Sequence, residues 1–123
     1  MNWLAISAVN LAAAVMFGAF GAHALKARLS VEQLGWWHTS TEYFFYHALG
    51  LLVIGALMRT IPTLELRLPA GLLQIGIIIF CGSLYAMALG APRWFGAITP
   101  IGGTAFIVAW LLLAWSAFKV SAT

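Results

Sequence analysis

The chain has 123 residues, of which 63% are hydrophobic and only 7% are charged, and its mean hydropathy is +1.00. These values lie far outside the range of soluble globular domains, and the length allows about four membrane spans of ~20 residues with little left for a soluble catalytic module. The net charge of +3 comes from dispersed Lys and Arg residues, so we expect no nucleic-acid partner. We therefore expect a single integral membrane domain covering residues 1–123.

Residues 3–25 form the first predicted span. A signal peptide is the competing interpretation, but no Lys or Arg precedes the apolar core and more apolar sequence follows it. Small side chains recur at every fourth position, which allows another helix to approach closely. These predicted packing residues are Ala14, Gly18 and Ala22.

The second helix is predicted to begin near Val31, because Ser30 and Gln33 have the spacing of a capping box. Trp36 and Trp37 are interpreted as interfacial anchors, so the membrane-spanning part is predicted over residues 39–58. A polar stripe runs into this span. Residues four apart share a helix face, and the two adjacent rows are His38, Glu42 and Tyr46, and Thr39, Tyr43 and His47.

The third and fourth spans are predicted over residues 69–90 and 100–118. Pro69 suits a first helical turn, and Thr99 followed by Pro100 is a typical helix start. A second row of small packing residues comprises Gly82, Ala86 and Gly90. Asn10 and Gln74 fall at similar depth on parallel helices, which predicts an interhelical hydrogen bond worth about 1 kcal/mol.

The short connections predict an all-α architecture, an antiparallel four-helix bundle in the membrane. The end of the first span, the start of the second, the end of the third and the start of the fourth then meet at one end, here called the His/Glu end. We expect a polar clasp or ligand pocket there, formed by His23, His38, Glu42, Tyr43, His47, Ser83, Tyr85, Arg93 and Thr99.

Both termini are expected on the same side of the membrane, because the number of spans is even. Three Lys or Arg residues flank each face, so the positive-inside rule does not decide the orientation. Our working expectation is a multi-pass protein of the cell inner (plasma) membrane with cytoplasmic termini.

Several motifs resemble those of a known family. They are Phe17 to Leu25, Trp37-x-Thr39, Tyr43-x3-His47-Ala-Leu49, Gly82-Ser-Leu-Tyr85 and Thr99-Pro-Ile-Gly-Gly103. In order and spacing the chain resembles the small four-span membrane proteins grouped as domain of unknown function 423, which include bacterial inner-membrane members and are related to eukaryotic transmembrane protein 256. The resemblance implies a location and a fold, since the family has no agreed biochemical activity.

Four functions can be compared at the His/Glu end. Haem or metal binding would use His23 with His47, or His38 with Glu42, but no haem-attachment motif is present, so we expect no cofactor and no metal. Proton-linked transport by an oligomer is the main alternative, since Glu42 and His47 could relay protons. An enzyme is not expected, because Ser83 lies outside any nucleophile-elbow motif.

The favoured hypothesis is a structural or membrane-homeostasis role, with the polar clasp leaving a His/Glu-lined pocket for a lipid or small ligand. The expected partners are membrane lipids, and either a second copy of the chain or another membrane protein. Such a clasp would set the helix register where the hydrophobic effect cannot, because lipid tails are as apolar as leucine.

Overall fold

Four long helices make up the protein in the computed structural model, which describes residues 1–121. Helix α1 spans Trp3–Leu25, α2 spans Val31–Thr60 and α3 spans Arg67–Ala88. A short 3-10 turn at Arg93–Ala97 leads into α4, which spans Thr99–Ser121. All four are long and apolar enough to cross a membrane. The predicted all-α membrane architecture is confirmed.

The helix ends follow from local sequence chemistry. Ser30 caps α2 in a complete capping box, in which its hydroxyl accepts from the Gln33 backbone N–H and the Gln33 side chain accepts from the Ser30 N–H. The Asn2 side chain caps α1 by accepting from the Ala5 N–H. Beyond α3, Gly90 has a φ of +111°, a conformation that other residues rarely adopt. The short turns that separate the helices therefore begin and end at residues suited to them.

Two helices contain a π-helical turn that the sequence analysis did not predict. The turns lie at Gly21–Leu25 in α1 and at Ile77–Cys81 in α3. The Phe17 carbonyl, four residues before the first turn, accepts a hydrogen bond from a side chain of α2. The carbonyl of Cys81, the last residue of the second turn, accepts another. Helix α2 uses both carbonyls to attach itself to its neighbours.

The core lies mainly between α2 and its two neighbours, α1 and α3. Leu51 and Ile54 of α2, and Leu73 of α3, are fully buried. Trp37 is also buried, with 3% of its surface exposed, so its predicted role as an interfacial anchor is corrected. Its indole packs edge-on against Phe17 of α1, with ring centroids 5.9 Å apart, because α1 offers the space above Gly21.

Close helix approaches occur at small residues, but only some of the predicted packing residues take part in them. Ala14 is buried and Gly18 packs near Thr41, whereas Ala22, Gly82 and Gly90 are exposed and Ala86 is half-buried. A Cβ at Gly82 would meet no atom within 4 Å, while one at Gly102 would lie 2.4 Å from the Phe80 backbone nitrogen. The close contact between α3 and α4 is therefore assigned to Gly102, and Gly82 is corrected to an outward position.

Candidate functional site

The orientation of α2 decides which polar groups meet inside the bundle. Its buried positions at this end are Trp37, Ser40, Phe44 and His47, spaced three or four residues apart. Each residue along a helix is turned by about 100° from the one before it, so His38, one position after Trp37, and Glu42, two positions after Ser40, lie off this buried row. For this reason His38 and Glu42 are exposed on the outside of the bundle.

The nine predicted site residues therefore divide into separate groups. His23, His38, Glu42, Tyr43 and Arg93 are exposed, Thr99 is half-buried, and His47, Ser83 and Tyr85 are buried. Among the described residues no ion pair or hydrogen bond joins Glu42 to His23, His47 or Tyr85. The expected common pocket around Glu42 is corrected accordingly: large side chains occupy the inward face of α2, and the carboxylate lies on the other side.

His47 is held by its own helix and by α4. Its Nδ1 lies 2.8 Å from the Tyr43 carbonyl oxygen, and because a carbonyl can only accept, Nδ1 carries the hydrogen. The imidazole stacks on the Phe106 ring with centroids 3.6 Å apart and planes 10° apart. This arrangement uses the histidine as a flat packing surface between α2 and α4.

Tyr85 joins α3 to α2 through a short chain of hydrogen bonds. The Thr41 hydroxyl donates to the Trp37 carbonyl at 2.9 Å, so the Tyr85 hydroxyl, 2.7 Å from Thr41 Oγ1, acts as the donor to it. The Tyr85 ring lies 4.4 Å from the Trp37 ring and 4.9 Å from that of Phe17. Residues of three helices thus meet at one aromatic cluster.

Hydroxyl groups make two further attachments to α3. Ser40 Oγ donates to the Cys81 carbonyl at 2.9 Å, and the Cys81 thiol in turn donates to the Ser40 carbonyl at 3.4 Å. Ser83 Oγ lies 2.5 Å from Thr99 Oγ1 at the start of α4. Cys81 is thus one half of a reciprocal pair that joins α2 to α3.

Arg93 lies at the surface of the His/Glu end. Its guanidinium forms an ion pair with Glu32 at 2.5 Å and lies 5.6 Å from the ring centroid of Trp36. Both charged side chains are largely exposed, so the pair contributes little to stability. Its position places the 3-10 turn before α4 against the first turns of α2.

The two amides at the other end of the bundle meet directly. Asn10 Nδ2 donates to Gln74 Oε1 at 2.6 Å and also to the Ile6 carbonyl at 2.9 Å. The Gln74 amide returns a longer bond of 3.4 Å to Asn10 Oδ1. Helices α1 and α3 run parallel, so the contact fixes their relative height.

Every buried side-chain nitrogen and oxygen within the described residues has a hydrogen-bond partner. Those residues also contain no group of three or more His, Cys, Asp or Glu side chains that could hold one metal ion. The buried polar groups named above all bond to other parts of the same bundle. Their arrangement serves helix attachment.

A cavity of about 640 Å³ opens at the opposite end, where α2 and α4 finish and α1 and α3 begin, here called the terminal end. Its charged lining residues are Glu65, Arg67 and Lys119, and its apolar lining includes Leu66, Leu112 and Trp115. Ser116 Oγ donates to the Glu65 carbonyl at 3.0 Å and ties the α2–α3 loop to α4. The Lys119 ammonium lies 6.0 Å from the Trp115 ring centroid.

Sequence reasoning missed this cavity and the inward role of Trp37. Arg67 and Lys119 lie 52 positions apart, and no sequence spacing connects them. A signal for Trp37 did exist: Trp37, Phe44 and Leu51 recur every seven residues, a periodicity typical of the packed face of a helix.

The fold and the internal hydrogen bonds define a small multi-pass membrane protein. A family model described as protein of unknown function (DUF423) matches residues 17–103, so the chain belongs to that family. It is 46% identical over 118 residues to a UPF0382 membrane protein of Staphylococcus saprophyticus, covering 96% of this chain and 98% of the relative. It is also 40% identical over 118 residues to the UPF0382 membrane protein YwdK of Bacillus subtilis, covering 95% and 96%. No solved structure matches the chain significantly.

Proposed function

We propose that this chain is a non-catalytic structural protein of the bacterial inner membrane, which contributes to membrane homeostasis by holding an anionic phospholipid headgroup. The lipid site that sequence reasoning located at the His/Glu end is placed instead in the cavity at the terminal end. The observation that carries this proposal is the pairing of two cations with an apolar lining in one cavity at the end of the bundle.

The lining of the cavity suits the chemistry of a phospholipid. Arg67 and Lys119 supply two positive charges against the single negative charge of Glu65. Within residues 1–121 neither cation is in an ion pair, which leaves both available for a phosphate. Leu112 and Met58 line the apolar part of the cavity, where the upper part of an acyl chain would pack.

The start of α3 adds to the attraction for an anion. This helix has no side-chain cap at Leu66, and the backbone N–H groups of Arg67 and Leu68 are unpaired within the helix, while Pro69 has none. Such groups and the helix dipole favour an anion. Trp115 has 57% of its surface exposed, as expected of an aromatic residue at the level of the headgroups.

Lipid retention tests the proposal. Purified protein is exchanged into micelles containing phosphatidylglycerol or phosphatidylcholine, and bound lipid is counted by native mass spectrometry. Because each cation near a membrane surface contributes about 1 kcal/mol to anionic-lipid binding, we expect the double variant Arg67→Gln/Lys119→Gln to lose phosphatidylglycerol affinity roughly tenfold or more. Equal retention of the two lipids by the unmodified protein would contradict the proposal.

A matched control is available at the other end of the chain's first helix. Lys26 and Arg28 are two exposed cations just after α1, far from the cavity. The double variant Lys26→Gln/Arg28→Gln therefore changes the net charge by the same amount as Arg67→Gln/Lys119→Gln. We expect this variant to retain phosphatidylglycerol as the unmodified protein does. An equal loss in both variants would indicate a general charge effect and no dedicated site.

Proton-linked transport is the competing hypothesis. A relay would need Glu42, His47 and Tyr85 to exchange protons, but Glu42 is exposed while His47 and Tyr85 bond to different partners. A proteoliposome assay with an internal pH-sensitive dye separates the two hypotheses. Proton flux that depends on Glu42 and His47 would favour transport over the structural role.

A further inference from the structure

Within residues 1–121, His38 and Glu42 of the α2 polar stripe have no polar partner in the single chain. Glu42 is exposed, and among the described residues the ion pair that forms is Arg93 with Glu32, not one with Glu42. None of the hydrogen bonds found in that part of the chain includes the Glu42 carboxylate or the neighbouring His38 imidazole. The Glu42 carboxylate and the His38 imidazole are therefore available to a partner outside the chain.

The depth of Glu42 makes this exposure costly. Helix α2 has 30 residues and is about 45 Å long, which exceeds the ~30 Å hydrocarbon core. Counting ~20 residues back from Arg59 at the other end places the membrane boundary near Thr39, so Glu42 lies about 5 Å inside. A charged group at that depth is expected to face a cavity or a protein partner.

The exposed face of α2 has the pattern of a helix-pairing seam. We define the α2 outer face as Thr39, Glu42, Tyr46, Leu49, Val53 and Ala56, all of which are exposed. Their spacing alternates between three and four residues, the repeat that keeps one stripe in contact with a parallel partner helix. The face continues along the span, with Tyr46 59%, Leu49 48% and Val53 56% exposed.

We propose that two copies of this chain pair through the α2 outer face, with the Glu42 carboxylate of each copy accepting a hydrogen bond from the His38 imidazole of the other. Copies inserted in the same orientation bring their α2 helices together in parallel. A two-fold axis makes each contact reciprocal, so one acceptor and one donor a single turn apart produce two identical bonds.

Charge and chemistry favour a second copy as the occupant of this face. Lipid tails cannot satisfy a carboxylate, whereas a second α2 outer face brings the hydroxyls of Thr39 and Tyr46 and the nearby imidazole to within about one helical turn of the same depth. These donors surround the one acidic group on the face. The apolar half, Leu49 and Val53, pairs equally well with itself.

Disulfide cross-linking in native membranes tests the pairing. Val53→Cys lies on the α2 outer face about 10 Å from the terminal end, and Val9→Cys lies at about the same depth on α1, where Val9 is 70% exposed. Under mild oxidation we expect Val53→Cys to cross-link to twice the 13.3 kDa chain mass, at least fivefold more than Val9→Cys. Equal cross-linking of both variants, no product, or a product of another mass would overturn the proposal.

The polar contact is tested in the Val53→Cys background. We expect Glu42→Ala and His38→Ala each to reduce the dimer product several-fold, and the exchanged pair His38→Glu/Glu42→His to restore it. The assigned contact would be overturned if Glu42→Ala and His38→Ala each reduce the dimer product and the exchanged pair does not restore it. Near-UV circular dichroism of each variant distinguishes loss of pairing from loss of folding, because the buried Trp37 reports on the single chain.

Discussion

Individual buried polar side chains attach the helices of this protein to one another. Trp37 donates to the Phe17 carbonyl at 2.9 Å, Ser40 to the Cys81 carbonyl at 2.9 Å, and Thr41 meets Tyr85 at 2.7 Å. The three α2 residues that make these bonds, Trp37, Ser40 and Thr41, lie within a stretch of five residues. In lipid such bonds have to supply specificity that apolar packing alone does not.

The Thr41–Tyr85 contact allows the strength of one such bond to be measured. We expect Tyr85→Phe and Thr41→Val to be non-additive, with a coupling free energy of about 0.6 kcal/mol and at most about 1.7 kcal/mol, the range for hydrogen bonds between membrane helices. The free energy of unfolding in micelles is measured for both single variants and the double variant. Tyr43→Phe is the control, since its hydroxyl lies on an exposed side chain outside the α2 outer face; a coupling of zero between Tyr85 and Thr41 would contradict the assignment.

At the scale of helices, close approach depends on particular glycines. Helices α3 and α4 touch where a Cβ at Gly102 would lie 2.4 Å from the Phe80 nitrogen and 2.8 Å from its Cα. Backbone atoms cannot move aside as a flexible side chain can. The distance between these two helices is therefore determined by the missing side chain.

Substituting this glycine should separate the two helices. We expect Gly102→Ala to destabilise the protein by about 1–3 kcal/mol, the usual cost of inserting a methyl group into a packed core, measured as the free energy of unfolding in micelles. Gly82→Ala is the matched control on α3, where the added Cβ would meet no atom within 4 Å. A neutral result for Gly102→Ala would mean that α4 can shift without cost.

For the whole molecule, four spans place the two connecting regions around Ala27 and Ala97 at the His/Glu end, and Thr63 at the terminal end. The start of α1 and the end of α4 are expected on the same side as Thr63. This topology follows from the helix order alone, whereas the side of the membrane is not determined by the charges, since three Lys or Arg residues flank each face.

Labelling of introduced cysteines determines the orientation. With cytoplasmic termini, a membrane-impermeant maleimide should label Ala27→Cys and Ala97→Cys in right-side-out vesicles, and Thr63→Cys in inside-out vesicles only. Cys81 is buried, so the unmodified chain should remain unlabelled and serves as the control. The reversed pattern would place the termini outside, and labelling of all three from one side would contradict the four-span topology.

The sequence by itself determined that this is a membrane protein of four helices, that the second helix is capped at Ser30, and that Asn10 meets Gln74. Caps, prolines and apolar runs are local features, and they act in the same way whatever the helices pack against. The tertiary structure alone decided which side of each helix faces inward. In water the polar face of a helix turns outward, but in lipid the apolar exterior resembles the apolar core, so periodicity could not show that Trp37 and His47 point inward while His38 and Glu42 point out. That choice rests on the fit of large side chains against glycines of neighbouring helices, as Trp37 fits above Gly21.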